Sequence, residues 1–106
     1  MPLTEELKWL AVDFDGTLAR NTWSAHNPTS ELGSPIWENL YKLDLAVEAG
    51  YKIVIHTARP STDYFDIEAW LIKYDVPFKF IQTGKILAAL YIDDRARKAD
   101  AESWIP

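Results

Sequence analysis

The chain alternates between short apolar runs and stretches whose apolar residues recur at helical spacing. Trp9-Leu10-Ala11-Val12 is an apolar run that leads straight into Asp13-Phe14-Asp15-Gly16-Thr17. A short apolar run closed by a turn signal predicts a buried strand. Tyr51 to His56, rich in β-branched residues, predicts a second strand, broken by Thr57-Ala58-Arg59-Pro60. Phe78 to Ile81 predicts a third. After the turn Gln82-Thr83-Gly84-Lys85, the apolar stretch Ile86 to Ile92 predicts a fourth, ended by Asp93-Asp94-Arg95.

Helices are expected between these runs. Ser34-Pro35 reads as an N-cap and first helical position, followed by Ile36, Leu40, Leu43 and Val47 at helical spacing and Gly50 as the C-cap. Thr62 is expected to cap a second helix with Phe65, Ala69, Leu71 and Ile72 on its apolar side, ending near Tyr74-Asp75 ahead of Pro77. Ala96 to Trp104 reads as a short last helix. Residues 19–35 are polar and read as a long loop, a feature that tends to carry function in compact domains.

Strands alternating with helices imply parallel pairing through crossovers. The expected fold is therefore α/β: a three-layer α/β/α sandwich around a Rossmann-like, mostly parallel sheet of four to five strands. In such sheets ligands gather outside the carboxyl ends of the strands. Asp13 and Asp15, Thr57, and Asp93 and Asp94 each follow a different strand, so the pattern brings them to one edge.

With 106 residues, 48% apolar and 25% charged, the chain reads as a single folded domain, 1–106, without repeat or linker. It has 16 acidic and 11 basic residues, a net charge of −5, and so lacks the basic footprint needed to wrap nucleic acid. The surplus acid resides largely in Asp13, Asp15, Asp93 and Asp94. Cysteine is absent, which excludes disulfides, thiolate nucleophiles and cysteine-ligated metals. With no signal-peptide pattern and no apolar run of membrane-spanning length, the expectation is a soluble cytoplasmic protein with no membrane partner.

On an extended strand, residues i and i+2 share a face, so the Asp13 and Asp15 carboxylates can flank one point. Like charges that close repel unless a proton or cation lies between them. Carboxylate oxygens without cysteine or a histidine cluster suit a hard cation, above all Mg²⁺.

These residues resemble the haloacid dehalogenase superfamily. Asp13-Phe14-Asp15-Gly16-Thr17 is similar to its motif I, Thr57 to motif II, Lys85 to motif III and Asp93-Asp94 to motif IV in its tandem-acid form. The four stand in the family's order and span residues 13–94. The resemblance implies Mg²⁺-dependent phosphatase activity through an aspartyl-phosphate. Asp13 would be the nucleophile and Asp15 the general acid and base. Thr57 would bond a phosphoryl oxygen and Lys85 would neutralise charge. Asp13, the Asp15 carbonyl and Asp94 would hold the metal, with Asp93 behind or through water. Gly16, Thr17, Ala58 and Arg59 are expected at the substrate, since a guanidinium matches phosphate geometry. The stretch Leu18 to Ser34 is too short for a cap domain, so the chain resembles a capless member.

A capless site admits a nucleotide, a nucleic-acid end, a phosphosugar or a phosphoprotein. Trp23 and His26, in the long loop, are candidates for the substrate mouth. His56 is expected to face away from Thr57 and pack against a helix. Five Trp are many for this length, and an exposed one would suit a homodimer surface. Two other readings stand beside hydrolysis. One is a non-catalytic phosphate- or metal-binding module acting through a protein partner. The other is a phosphotransferase using the same aspartyl-phosphate. Dehalogenation is disfavoured, because dehalogenase members lack the second acid of motif I, present here as Asp15.

Overall fold

The computed structural model describes residues 8–24, 26–86, 88 and 96–105. Three strands lie in it: β1 (Trp9–Val12), β2 (Lys52–His56) and β3 (Phe80–Gln82). They form a parallel sheet in the order β1-β2-β3, with Val12 opposite Ile55 and Ile55 opposite Ile81. Two helices make the crossovers, α1 (Trp37–Glu48) and α2 (Tyr64–Lys73), the second entered through a 3₁₀ turn, Ser61–Asp63.

The register sorts the strand residues by face. Val12, Ile53, Ile55 and Ile81 share one face and are buried with Leu40 and Leu43 of α1 and Ile67, Trp70 and Leu71 of α2. Both helices therefore cover the same face, as right-handed crossovers stepping in one direction require. Trp9 and Phe80 stand on the other face, in ring contact at 5.5 Å and partly exposed. Among the described residues the sheet is thus three strands wide with helices on one side. The expected fourth strand, 86–92, lies mostly outside them. Among the described residues no helix is long and apolar enough to cross a membrane.

Several element boundaries differ from expectation. Ser34-Pro35 does not start α1. Pro35 instead bridges to Ala19, the Ser34 carbonyl accepts the Arg20 N–H at 2.8 Å, and the helix begins two residues later, at Trp37. These bonds close the base of the 19–35 loop. Gly33 allows that closure, since a Cβ there would fall onto the Arg20 backbone. Trp70 Nε1 then donates to the Gly33 carbonyl at 2.9 Å and ties the loop to α2. On α2 the buried stripe is Ile67, Trp70 and Leu71, while Phe65, Ala69 and Ile72 are exposed. Thr62 makes no cap; Asp63 holds that position without a side-chain cap bond. Residues 96–105 form turns and bends and not a helix.

Both helix ends close in the same way. Past α1, Gly50 and Tyr51 donate back to Val47 and Ala46. Past α2, Asp75 and Val76 donate back to Ile72 and Leu71. These paired bonds satisfy carbonyls that would otherwise lack partners.

Candidate active site

Phe14 sets the geometry of the acidic turn. Its ring is fully buried and meets Trp70 edge-on at 4.9 Å. Its carbonyl accepts the N–H groups of Thr17, Leu18 and Ala19, which curls the chain after β1. Asp13 and Asp15 flank this anchor at the carboxyl end of the strand. Thr17 is held by α1, whose buried Asn39 donates to the Thr17 carbonyl at 2.8 Å.

Asp13 Oδ1 accepts the Phe14 N–H at 2.8 Å, and Oδ2 lies 3.9 Å from Lys85 Nζ. The Asp13 side chain is 41% exposed, so an incoming group can reach it. Partial burial pushes its carboxyl above the usual carboxylate value. Lys85 and the Phe14 N–H pull the other way, and Asp15 adds a smaller upward push.

Thr57 follows β2 and is buried. Its N–H donates to the Gln82 carbonyl and its carbonyl accepts the Lys85 N–H, both at 2.9 Å. The β2–β3 pairing thus continues past the strands and delivers Lys85 to Asp13. His56, one residue earlier, faces the side of the sheet away from the helices, opposite Gln82. Among the described residues neither α1 nor α2 therefore packs against it, unlike the expected burial against a helix. Its imidazole is held below the ordinary value, first by burial and then by Lys85, with Asp13 opposing. His56 therefore adjoins the site, which strand alternation relative to Val12 and Ile55 would have revealed.

Arg59 is placed differently from the expected substrate contact. Its side chain is fully buried, and its guanidinium is held by protein. Nε donates to Asp15 Oδ2 at 2.8 Å and NH2 to Asp15 Oδ1 at 2.9 Å. NH1 donates to the Thr29 carbonyl and to Asp63, and NH2 also reaches Thr22 Oγ1 and the Glu31 carbonyl. Burial works against the charge, but Asp15 and Asp63 outweigh it and raise the Arg59 pKa. Gly16 is exposed, while Thr17 and Ala58 are partly buried beside the same turn residues.

Trp23 lies over the Arg59 guanidinium, 6.0 Å from ring centroid to carbon. With Pro28, Ser30, Pro60 and Thr62 it lines an open hollow of about 210 Å³ next to the acidic edge. His26 is exposed in the same loop. A hollow of similar size lies between α1 and the 74–77 segment after α2, at Trp37 and Tyr74.

Asp13 and Asp15 offer hard oxygen donors of the kind Mg²⁺ prefers. Among the described residues no group of three or more acids or histidines is gathered around one point. Asp93 and Asp94, expected to complete the set, lie outside the described residues.

The chain is similar to a protein from Vibrio cholerae of known crystal structure. The two are 31% identical, with a TM-score of 0.67, over 86% of this chain and 83% of that one. A conserved protein from Bacteroides thetaiotaomicron is 21% identical with a TM-score of 0.58, over 83% of this chain and 76% of that one, and shares the fold. No family model and no curated protein matches.

Proposed function

We propose that this chain, which belongs to one family with the Vibrio cholerae protein, is a Mg²⁺-dependent phosphomonoester hydrolase of the haloacid dehalogenase type. The observation that supports this reading best is the pairing of half-exposed Asp13 with Lys85 Nζ at 3.9 Å, at the carboxyl edge of a parallel sheet. A carboxylate needs no base to act as nucleophile, and an ammonium beside it offsets the charge of an arriving phosphoryl group.

In the first step an Asp13 oxygen bonds to phosphorus and the ester P–O bond breaks. The departing alkoxide takes its electron pair and a proton from Asp15. In the second step water attacks the aspartyl-phosphate and gives its proton back to Asp15. The P–O bond to Asp13 breaks, freeing inorganic phosphate and the Asp13 carboxylate. Thr57 hydrogen-bonds a phosphoryl oxygen in both steps and Lys85 balances its charge. Asp13, the Asp15 carbonyl and Asp94, with Asp93 behind, would hold Mg²⁺, which supplies further charge neutralisation on the phosphoryl oxygens. The reading carries with it a sheet of four to five strands in three layers, its fourth strand at 86–92, which lies mostly outside the described residues. On the capless reading, nucleotides, nucleic-acid ends, phosphosugars and phosphoproteins are all admissible substrates.

Phosphate release from p-nitrophenyl phosphate and a panel of phosphomonoesters, with Mg²⁺ and with EDTA, tests this. Metal-dependent turnover abolished by Asp13→Asn is the expected result. No turnover on any ester by folded protein that still binds Mg²⁺ would instead support a binding module.

A further inference from the structure

We propose that Arg59 is the positioning residue for Asp15, and that through Arg59 the 22–31 loop sets the aim of the leaving-group acid. This rests on the reading of Asp15 given above. A guanidinium has five N–H groups in a rigid planar fork. Here they meet Asp15 Oδ1 and Oδ2, Asp63 Oδ2, Thr22 Oγ1 and the carbonyls of Thr29 and Glu31, all within 3.3 Å. Every donor is engaged, so the fork has a single orientation.

The grip on Asp15 is bidentate, through Nε and NH2. Two parallel bonds fix the plane of a carboxylate as well as its position. A single bond, or the point charge of a lysine, leaves the plane free to rotate. Asp15 is also nearly buried, with 11% of its side chain exposed. Its remaining freedom is therefore set by Arg59 more than by water. An acid must meet the leaving oxygen within hydrogen-bond reach, which makes a fixed carboxylate plane useful for catalysis and not only for the fold.

The other side of the fork explains why the loop takes part. Two of the six acceptors are loop carbonyls. Thr22 is bound twice, since its hydroxyl also donates to the Glu31 carbonyl at 2.7 Å. Asp63 supplies the counter-hold from the start of α2 at 3.3 Å. Arg59 thus ties the acid at the end of β1 to the 22–31 loop and to the turn that enters α2.

Leaving-group dependence separates positioning from mere support. Nitrophenolate departs without needing a proton, whereas a less acidic phenol or an alcohol needs one. The experiment measures kcat and KM for Arg59→Ala, Arg59→Lys, Asp15→Asn and the Arg59→Ala/Asp15→Asn double variant. The substrates are p-nitrophenyl phosphate, phenyl phosphate and an alkyl phosphate. On the last two, Arg59→Ala is expected to lose kcat by about 10²-fold or more, the range of acid catalysis. On p-nitrophenyl phosphate the loss is about tenfold at most, with KM little changed. The double variant is no slower than Asp15→Asn alone. Arg59→Lys keeps the charge and loses the fork, so it shows the same dependence in milder form and serves if the alanine variant does not fold. Equal losses on all leaving groups, or a double variant slower than Asp15→Asn, would overturn the assignment and leave the hydrolase reading standing. A wild-type protein inert towards every ester would sink both.

Discussion

Lys85 is tied to Thr57 by its backbone before it meets Asp13 by its side chain. Its N–H donates to the Thr57 carbonyl at 2.9 Å, and its ammonium then stands 3.9 Å from Asp13 Oδ2. The residue that would bond the phosphoryl group therefore also sets the reach of the residue that would neutralise it.

That tie depends on the turn before Lys85. Gly84 has φ +79°, and nothing lies within 4 Å of a Cβ built there, so Gly84→Ala adds backbone strain and no clash. The left-handed conformation costs about 1–2 kcal/mol for a residue with a Cβ. Thermal unfolding should shift down by roughly 4–8 °C per kcal/mol in a domain of this size. Turnover on p-nitrophenyl phosphate should fall by more than that loss explains at a temperature where the variant is fully folded. An unchanged kcat would mean that Lys85 does not rely on this turn.

Asp13 carries charge in a place that disfavours it. Its carboxyl is raised chiefly by burial, so at neutral pH the ionised form is held at a net cost. Asp13→Asn removes that cost along with the nucleophile. Turnover should vanish while the melting temperature stays level or rises, the pattern expected where a site trades stability for activity. Because the side chain is well exposed, the gain is small. A clear fall in melting temperature would show that the Lys85 contact outweighs the desolvation.

His56 gives the opposite pH sign. Its folded-state pKa is lowered below the ordinary 6.5 by burial and Lys85. Between that lowered value and 6.5 the unfolded chain binds the proton more readily, so stability falls as pH drops through this window. Urea unfolding at pH 7.5 and 5.5, in EDTA, should show a smaller acid loss for His56→Gln than for wild type. Equal losses would place the acid sensitivity elsewhere.

Asp75 closes α2 with φ 56°. Glycine adopts that conformation without the Cβ penalty, and the capping bonds from residues 75 and 76 to Ile72 and Leu71 are backbone only. Relief of the ~1–2 kcal/mol left-handed penalty outweighs the ~0.5–1 kcal/mol chain-entropy cost of glycine. Asp75→Gly should therefore stabilise the domain by up to about 1 kcal/mol, read as a higher urea midpoint with an unchanged slope.

How far these features were legible in the chain differs by element. β1 and β2 announce themselves as short apolar runs ended by the polar turns where the site is, but only β2 has a buried centre, Ile53 to Ile55. β1 is buried at Val12 and exposed at Trp9 and Ala11, because its second face is open among the described residues, so the expected burial of that strand holds on one face only. Ser34-Pro35 misleads about the start of α1 because it satisfies a local capping rule, while its actual partners, Arg20 and Ala19, lie across a loop. The buried face of α2 is not legible locally, because Phe65 and Ile72 are apolar yet exposed and only the sheet decides which stripe is buried. Arg59 reads locally as a phosphate ligand. Five of the six acceptors that hold it lie 28 to 44 residues away, and Asp63, four residues on, is the one nearby signal.

The sheet order also governs how the chain comes together. With β1-β2-β3 parallel and sequential, no pair of strands among the described residues is joined by a hairpin. β2 and β3 must wait for residues 57–79 to close, and β1 and β2 for the longer span 13–51. Loop closure costs more as the span grows, and non-local pairing slows folding. The β2-α2-β3 half, with Ile55, Ile67 and Ile81 in one cluster, is the segment that assembles at the smaller entropy cost. β1, which carries Asp13 at its end, is expected to join after it. By loop closure alone the acidic edge at the end of β1 is expected to gain amide-exchange protection during refolding after the β2-α2-β3 half does.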